Sequence, residues 1–541
     1  MNHLQSRLCA LFVALLLLSC SDIGPVVAQD RVDPVSVPSD IKAIMDRPFY
    51  EGAIWGLRVV DIETGQVLIN LRPDHQFLIA SVRKVFTTGE LMNQIGPDHT
   101  FNTPIYRHGT LSDKGILHGD LILVASGDLT MGGRTKADGT VAFTAFDHNE
   151  ADGLGNAILT KPDPLAGYAE LARQVAASGI KEVTGDVIID DRLFQPYEFR
   201  DQFKLKPVFV NDDVVDLILR PRNAGELASL EHRPLSDALE VDNAVEMKPA
   251  GGEANIEPSL PTCIGHPDCT VTLRGVLPVG FVPPLTERYP LIRTFRIVDP
   301  SSYARTVLIE ELRAAGIKVK APTVELNPTH MLPAHCCYEP KMRVAQFRGL
   351  PYSEDAKLIN KVSYNLGADT SMLLYGLTQG AGTMKLALAA EKINLQTNYG
   401  INPDEYQFID GSGSGDTSAL TRTVTHMLVD MYARPSFLHY VASFPILGVD
   451  GSLETTTDFE SDPSLALARG RVHAKPGTYI GDSPAGPRIK ALALAGYVDT
   501  KSGRKLAYTL IVNNVPFKAL KDAIQVFQDE GTISAILWRD N

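Results

Sequence analysis

Three short motifs in this chain combine side chains that can carry out nucleophilic catalysis. Ser81-Val82-Arg83-Lys84 places a hydroxyl and an amine three residues apart at a predicted helix start, where both share one helix face. The helix N-terminus favours negative charge on the serine oxygen, and a lysine with a lowered pKa can accept the serine proton. Ser363-Tyr364-Asn365 and Lys475-Pro476-Gly477-Thr478 add a second hydroxyl, an amide and a second amine. Each motif alone is weak, because Ser-x-x-Lys recurs by chance and a solvent-exposed first turn is the alternative.

Hairpins at both ends of the chain are the elements that must position these motifs. Strand-like runs over 54–61 and 67–71 flank a short polar turn, and a second pair covers 491–498 and 506–512. The two pairs predict one antiparallel sheet built from both ends of the chain. The middle of the chain would then be an insertion.

Two helices are predicted beside these hairpins. The first starts at about Ser81 and turns three apolar side chains toward the core, namely Val85, Leu91 and Ile95. The second covers 518–527 near the C-terminus, and the apolar side chains on its predicted packing face are Leu520, Ile524 and Phe527.

The order of the three motifs resembles the active-site serine penicillin-binding proteins and serine β-lactamases. About 280 residues separate Ser81 from Ser363, far more than compact enzymes of this kind place between their first two motifs. That spacing resembles the class C penicillin-binding proteins, which are D-alanyl-D-alanine carboxypeptidases and endopeptidases of peptidase family S13 with extra domains inserted there. Further stretches that look like this family are Gly119-Asp120-Leu121, Ser126-Gly127-Asp128, Gly185-Asp186-Val187, Asp190-Asp191, Asp299-Pro300, Asp410-Gly411-Ser412-Gly413 and Gly448-Val449-Asp450-Gly451-Ser452-Leu453.

The resemblance implies a catalytic role for the residues of the first two motifs. Ser81 would attack the peptide bond between the two terminal D-alanines of a peptidoglycan stem peptide and form an acyl-enzyme that water clears. Lys84 would be its general base. Ser363 would relay a proton to the leaving amine, and Asn365 would hydrogen-bond the substrate amide.

The third motif would bind the substrate, again by resemblance. Lys475 would place positive charge near the substrate carboxylate and hold Ser363, while Gly477 and Thr478 would contact the substrate. The backbone N–H groups of Ser81 and Thr478 would form the oxyanion hole. The resemblance implies no metal and no organic cofactor, and it implies β-lactams as covalent inhibitors.

Two positions depart from the family pattern. Pro476 stands where the family usually has Thr, which removes a hydroxyl and a backbone donor, although proline is tolerated on an edge strand. Thr478, two residues on, could partly replace that hydroxyl. Tyr364 stands where an acidic residue is common. A catalytically weakened peptidoglycan-binding lipoprotein of the same fold is therefore the main alternative function, and a β-lactamase or esterase is the other.

The fold class that the resemblance implies is a multidomain α/β (α+β) protein. A serine β-lactamase/transpeptidase-like domain would span 40–110 and 340–541, with a five-stranded antiparallel sheet and helices on both faces. An inserted α+β domain would occupy 111–205 and 286–339, and a smaller β-rich domain would be nested at 206–285.

A weak internal repeat lies in the inserted region. A helical pattern from Tyr168 stops at Gly179 before a strand, and a second from Tyr303 stops at Gly316 before another. One α+β unit built from both halves and two unrelated units are equally good interpretations.

The N-terminus has the pattern of an export signal. Arg7 precedes an eleven-residue apolar run, Leu8 to Leu18, which is too short for the ~20 residues that a membrane span needs. Leu17-Leu18-Ser19-Cys20 looks like a lipobox, so residues 1–20 are the predicted signal peptide. Cleavage after Ala28 is the alternative position, and a buried core helix is the alternative interpretation of the apolar run. We expect an exported, periplasmic protein that touches a membrane only through a lipid on Cys20.

The four other cysteines in the exported part predict disulfides. Four thiols allow three connectivities, and because the neighbours Cys336 and Cys337 do not easily bridge each other, the pairing of each with Cys263 or Cys269 is the favoured arrangement; free thiols are a further alternative. A zinc site is the alternative, because His266 and His335 lie beside these cysteines and the set offers tetrahedral ligands.

Charge and composition exclude other classes of protein. The chain has 541 residues, a net charge of −13 and 21% charged residues, which argues against wholesale disorder. No run of five basic residues occurs, so nucleic acid is not an expected partner. Residues 126–164 are rich in Gly and Asp and predict a long surface loop. Within this loop, a solvated surface is preferred over a metal site for four polar side chains, Asp147, His148, Glu150 and Asp152.

Overall fold

The computed structural model describes residues 37–200, 203–257, 261–335, 338–484 and 486–541. The predicted signal peptide lies outside these ranges, together with its lipobox and its alternative cleavage position, and so do Cys336 and Cys337. In the part of the chain that is described, no helix is both long and apolar enough to cross a membrane.

The described ranges contain both α-helices and strands, with a long run of consecutive strands between α4 and α5. The α-helices there are α1 (Ser39–Met45), α2 (Lys84–Ile95), α3 (Ala151–Leu154), α4 (Ala166–Ala177), α5 (Pro300–Ala314), α6 (Tyr352–Lys361), α7 (Asn365–Thr378), α8 (Met384–Asn398), α9 (Thr421–Tyr432), α10 (Phe437–Ala442) and α11 (Leu520–Asp540). The strands are β1 (Ile54–Asp61), β2 (Val67–Leu71), β3 (Phe77–Leu78), β4 (Thr100–Leu111), β5 (Ile116–Val124), β6 (Glu182–Val183), β7 (Val187–Asp190), β8 (Tyr197–Phe199), β9 (Phe203–Leu205), β10 (Val214–Arg220), β11 (Ser229–Arg233), β12 (Glu240–Lys248), β13 (Asn255–Ile256), β14 (Thr270–Pro278), β15 (Leu291–Arg296), β16 (Lys318–Val319), β17 (Arg343–Pro351), β18 (Tyr406–Gln407), β19 (Ser418–Ala419), β20 (Val472–Gly481), β21 (Arg488–Asp499) and β22 (Lys505–Pro516).

Both ends of the chain build one five-stranded antiparallel sheet, in the order β2-β1-β22-β21-β20. Both predicted hairpins are confirmed, because β1 pairs with β2 and β21 pairs with β22. Successive residues of a strand point to opposite faces. Leu492 and Leu494 accordingly share a core with α11, whereas Ala493 and Ala495 share one with α2 and α9. Helices therefore cover both faces of the sheet, as the resemblance implied.

The C-terminal helix differs from its prediction in length and in contact face. α11 continues well past residue 527, and Ile524 is 36% exposed, whereas Ala523 and Val526 are buried. The prediction stopped short because Asp529 and Glu530 interrupt the apolar pattern. Both of these acidic residues are nevertheless buried.

A six-stranded sheet lies in the middle of the chain, in the order β16-β6-β5-β4-β17 with β7 beside β5. The two helix–glycine–strand halves of the internal repeat come together here. β6 and β16 pair with each other in parallel, and α4 packs on α5. β4 and β17 lie within the ranges predicted for the transpeptidase-like domain, and both belong to this sheet. Two three-stranded sheets, β11-β10-β15 and β12-β14-β13, are also inserted.

The stretch 126–164 is not the exposed loop that its composition predicted. Asp147 and His148 are 3% and 4% exposed. Arg134 donates hydrogen bonds to Asp147 at 2.6 and 2.8 Å and also contacts Asp212. The solvated interpretation of Asp147 and His148 is therefore wrong, because a buried arginine compensates the carboxylates in place of water.

The same buried cluster offers little to a metal ion. Ligand atoms of Asp147, His148 and Asp212 lie within 4.8 Å of one another. Burial alone would lower the pKa of His148, but the carboxylates of Asp216 and Asp212 raise it to about 9. His148 Nδ1 lies 2.7 Å from an Asp216 oxygen, and Nε2 lies 3.0 Å from an Asp212 oxygen and 2.7 Å from the Arg134 guanidinium, so both ring nitrogens already have partners within the protein.

The disulfide that the structure contains differs from the predicted pairing. Cys263 and Cys269 are bonded to each other, with their Cα atoms 5.3 Å apart, a separation typical of disulfides. The prediction that each would pair with Cys336 or Cys337 is therefore wrong. The intervening residues form a tight turn, in which the His266 N–H donates to the Cys263 carbonyl at 2.7 Å. Because both sulfurs are bonded, the zinc alternative loses these two ligands.

Candidate active site

Ser81, the predicted nucleophile, lies on a tight turn that is anchored in the core. The 3₁₀ turn Ala80–Arg83 connects the short strand β3 to α2. Val82 and Val85 are fully buried beside it, whereas Ser81 itself is half-buried. Ala80 has a φ of 44°, a left-handed conformation that residues other than glycine rarely adopt and that clusters at functional sites.

Arg83 holds this turn from the core side. Its guanidinium donates to Glu391 at 2.7 Å and to the Asp410 carbonyl at 2.9 Å, and it stacks 4.1 Å from the centre of the Phe408 ring. The side chains of the ion pair are 0% and 1% exposed. Local sequence patterns do not reveal this anchor, because Glu391 is 308 residues away along the chain.

Lys84 links Ser81 to the second motif. Its Nζ donates three hydrogen bonds of 2.8 Å, to Ser81 Oγ, to Asn365 Oδ1 and to the Ser412 carbonyl. The side chain is fully buried. The spacing argument from the sequence, that Ser81 and Lys84 share one face, is confirmed by the first of these distances.

The environment of Lys84 brings its pKa close to neutrality. Burial is the main cause that lowers the pKa of Lys84 to about 7. The positive charge of Arg200 also lowers it, whereas the negative charges of Asp369 and Asp410 raise it. A lysine with this pKa is partly neutral at physiological pH and can accept a proton. The Ser81 hydroxyl is thus in contact with an amine that can accept its proton.

Ser363 and Lys475 form the second polar contact of the site. Ser363 lies between α6 and α7 with a φ of 62°, and its Oγ accepts a hydrogen bond of 2.9 Å from Lys475 Nζ. Lys475 is fully buried and also donates to the Pro476 carbonyl at 2.7 Å. Burial, and then the charge of Lys84, lower the pKa of Lys475 well below its ordinary range. The two lysines therefore lie close enough for the charge of one to lower the pKa of the other.

β20 brings the third motif against the nucleophile. It is an edge strand of the five-stranded sheet, as the presence of Pro476 required. A Cβ added to Gly477 would lie 2.4 Å from the Ile79 carbonyl oxygen and 3.1 Å from the Ser81 nitrogen. Thr478, the next residue, is exposed. Only glycine lets the backbone of β20 approach the Ser81 turn this closely.

Gly477→Ala is therefore expected to push β20 away from the Ser81 turn. The Thr478 N–H is one of the two donors of the predicted oxyanion hole, and losing one such donor costs about 10²–10³ in rate. We therefore expect acylation by a fluorescent penicillin to slow about 10²-fold. The matched control is Gly481→Ala on the same strand, where the added Cβ meets the flexible Lys490 side chain at 3.2 Å. Equal rates for the two variants would contradict this role of Gly477.

The loop Asp410-Gly411-Ser412-Gly413 lies beside Ser81 and Lys84. The sequence did not predict a role for it in the site. The Asp410 carboxylate accepts the N–H groups of Ser412 and Gly413 at 3.0 and 2.7 Å. A Cβ on Gly413 would lie 2.0 Å from the Ala80 carbonyl oxygen. The Asp-Gly-Ser-Gly string is a turn signal, and it was visible in the sequence only as a likeness to the family.

Glu150 also acts on the site from the inserted region. Burial lowers the pKa of both Lys84 and Lys475, and the Glu150 carboxylate is close enough to oppose that shift in each. Glu150 is exposed, as the solvated loop predicted from the sequence required, so its effect on the two lysines could not be read from its loop. Direct hydrogen bonds connect the predicted site residues in two groups. The first consists of Ser81, Lys84 and Asn365, and the second of Ser363 and Lys475.

Comparison with known proteins agrees with this arrangement. The model of the D-Ala-D-Ala carboxypeptidase 3 (S13) family matches residues 37–530. A D-alanyl-D-alanine carboxypeptidase of Actinomadura sp. strain R39 is 26% identical over 526 residues, which cover 90% of this chain and 83% of the relative.

Solved structures share the fold. A crystal structure of penicillin-binding protein 4 from Haemophilus influenzae has a TM-score of 0.68 and 19% identity, and the match covers 92% of this chain and 99% of that one. The same protein complexed with a β-lactam has a TM-score of 0.65 at 20% identity, with the same coverage. Because the family model spans nearly the whole chain, this protein belongs to the D-Ala-D-Ala carboxypeptidase 3 (S13) family of serine peptidases.

Proposed function

We propose that this protein is a serine-type D-Ala-D-Ala carboxypeptidase that acts on peptidoglycan stem peptides through an acyl-enzyme on Ser81. The observation that carries the proposal is the 2.8 Å contact between Lys84 Nζ and Ser81 Oγ. Burial lowers the pKa of that lysine to about 7. A serine in contact with a partly neutral buried lysine is an activated nucleophile.

The reaction follows from the positions of the two hydroxyls. Ser81 Oγ attacks the carbonyl carbon of the penultimate D-alanine, and its proton passes to Lys84. Collapse of the tetrahedral intermediate breaks the C–N bond, and the leaving amine of the terminal D-alanine takes a proton through Ser363, which Lys475 holds at 2.9 Å. Water then hydrolyses the Ser81 ester and releases the shortened stem. Ser363 recovers the proton that it gives to the amine from the Lys475 ammonium, 2.9 Å away. In deacylation the attacking water returns a proton through Ser363 to Lys475, and Lys84 returns the serine proton to Ser81 Oγ, so both lysines regain their starting states.

Substrate binding in this proposal uses the groups around the nucleophile. The N–H groups of Ser81 and Thr478 would stabilise the oxyanion, which the close approach of Gly477 to the Ser81 nitrogen supports. Asn365 would bond the substrate amide while it holds Lys84 at 2.8 Å. Lys475 and Thr478 would meet the terminal carboxylate.

The test of the proposed function is release of D-alanine. The protein is incubated with a stem pentapeptide ending in D-Ala-D-Ala and, as a control, with the same peptide ending in L-Ala. Release from the first peptide alone supports the proposal. A folded protein that binds both peptides and releases nothing would instead support the alternative, a wall-binding protein of this fold.

Penicillin binding and endopeptidase activity are further parts of the proposal. The β-lactam complex of the related H. influenzae protein supports the first, because a β-lactam presents a strained amide to the same serine. The second requires the cleft to accept a cross-linked stem in place of a free D-alanine leaving group. Digestion of purified cross-linked dimers measures it, and a wild-type protein that trims pentapeptides but leaves dimers intact would restrict the activity to the carboxypeptidase.

Pro476→Thr is expected to improve substrate binding, because it restores a hydroxyl beside Lys475. One added hydrogen bond to the carboxylate contributes about 1 kcal/mol, so we expect KM for a D-Ala-D-Ala peptide to fall roughly fivefold. Thr478→Val tests the compensating hydroxyl on the same strand and should raise KM. Unchanged KM values in both variants would show that neither position recognises the carboxylate.

Export to the periplasm with a lipid on Cys20 is also proposed, and the support is the N-terminal sequence alone. Labelling with a radioactive fatty acid in cells that express the wild type or Cys20→Ala tests it. Label on the wild type alone is the expected result. An unlabelled mature protein that begins after Ala28 would support export and would contradict lipidation of Cys20.

A further inference from the structure

A buried ion pair lies two residues before Ser363. Lys361 is the last residue of α6, and its Nζ lies 2.6 Å from each carboxylate oxygen of Asp450. The Lys361 side chain is 2% exposed and that of Asp450 is 27% exposed. Burial lowers the pKa of Lys361, and the hydrogen bond that Lys361 donates to the Asp450 carboxylate opposes that shift. The pair is therefore built into the structure and is not a contact between mobile surface side chains.

Asp450 belongs to a turn that is joined to β20. Its Oδ1 accepts the Ile446 N–H at 2.9 Å, and Ile446 forms a β-bridge with His473, two residues before Lys475. The N–H of Ala474 donates to the Pro445 carbonyl at 3.0 Å. The turn that carries Asp450 thus runs alongside the strand that carries Lys475.

The same turn also touches the backbone of Lys361. A Cβ on Gly451 would lie 2.6 Å from the Lys361 carbonyl oxygen, and Gly451 has a φ of 58°. One turn therefore contacts both the end of α6, just before Ser363, and the start of β20, just before Lys475. Ser363 itself has a left-handed φ of 62°, which surrounding contacts must maintain.

We infer that the Lys361–Asp450 ion pair is a positioning device that fixes the contact between Ser363 and Lys475, and this inference rests on the proposed function. Neither residue of the pair touches the reacting atoms. The pair ties together the two segments whose side chains meet at 2.9 Å, so its loss lets the Ser363 turn and β20 separate. The step that depends on this contact is proton delivery to the leaving amine.

A misplacement of about 1 Å can cost about 10² in rate, so kcat for D-alanine release is expected to fall about 10–100-fold in Asp450→Asn and in Lys361→Met. KM is expected to change less than kcat, by about threefold, because Lys475 and Thr478 both lie on β20 and keep their positions relative to each other. Asp450→Asn keeps one oxygen for the Ile446 N–H and for one contact with Lys361, but it loses the charge and the second contact with Lys361. Asp450→Glu retains the charge and should recover part of the lost kcat.

The matched control is Lys357→Met. Lys357 pairs with Glu354 at 2.5 Å one turn earlier on the same helix, and its loss should leave kcat near the wild-type value. Near-ultraviolet circular dichroism establishes that each variant is folded, and where Lys361→Met does not fold, Asp450→Asn decides the result.

The outcomes separate this inference from the proposed function. A wild type that releases no D-alanine contradicts the proposed function. An active wild type whose folded Asp450→Asn variant keeps the kcat of Lys357→Met overturns the inference alone. So does a variant in which KM rises while kcat is unchanged, because the pair would then act on binding.

Discussion

Ser81→Ala is expected to lower D-alanine release from a stem pentapeptide by at least about 10⁴-fold. Removal of the catalytic serine has an effect of this size in other serine peptidases. The physical reason is that no other hydroxyl accompanies Lys84 within 2.8 Å among the hydrogen bonds of the described residues. The fold should remain intact, because Ser81 is only half-buried and the turn is held by Arg83.

The measurement is D-alanine release coupled to a D-amino-acid oxidase assay. Ser464→Ala, at an exposed serine of the same chain, is the control and should behave as the wild type. Release by Ser81→Ala within tenfold of the wild type would show that another group attacks the substrate.

Lys84→Met is expected to have the second largest effect, a loss of about 10³-fold or more in the rate of acylation. General bases contribute about 10²–10⁴ in rate, and Lys84 also holds Asn365 and the Ser412 carbonyl. Lys84→Arg separates these functions, because arginine keeps the charge and its hydrogen bonds but does not accept a proton. Both variants should therefore be inactive, and a Lys84→Arg variant with near wild-type activity would contradict the role of Lys84 as base.

The pH dependence follows from the same lysine. Burial lowers its pKa to about 7, and only the neutral amine accepts the serine proton. The acylation rate of the wild type should therefore rise as pH increases through about 7 and level off above it. Stopped-flow measurements with a chromogenic β-lactam between pH 5 and pH 9 test this, and a rate that falls over the same range would reverse the assignment.

Local patterns in the sequence predicted the elements that carry the site. The hairpins β1–β2 and β21–β22 follow from short-range alternation and polar turns, and the contact between Ser81 and Lys84 follows from helix spacing. The edge position of β20 is compatible with Pro476, because proline removes a ladder donor and is tolerated on an edge strand. These features depend on residues close together in the chain, so sequence reasoning reaches them.

The parts that sequence reasoning missed depend on distant partners. Asp147 and His148 were expected in solvent because nothing nearby in the chain compensates their charges, whereas the structure surrounds them with Arg134 and the carboxylates of β10 and its leading turn. The length of α11 was missed because the buried Asp529 interrupts its apolar pattern. Its carboxylate is satisfied by Arg47 and Tyr50, far away near the N-terminus.

The disulfide was mispaired for a different reason. Two cysteines six residues apart can approach only if the intervening chain forms a turn. The composition of the segment between Cys263 and Cys269 allows such a turn but does not require it, so the longer-range pairing had been preferred.

Covalent labelling of Ser81 is the most direct test of the proposed mechanism. The purified mature protein and its Ser81→Ala variant are incubated with a fluorescent penicillin, and the adduct is mapped by mass spectrometry after proteolysis. We expect one adduct on the wild type, located on the peptide that contains Ser81, and none on the variant. An adduct on another residue, or none on a wild type that is demonstrably folded, would contradict catalysis through Ser81 and leave a binding role for this fold.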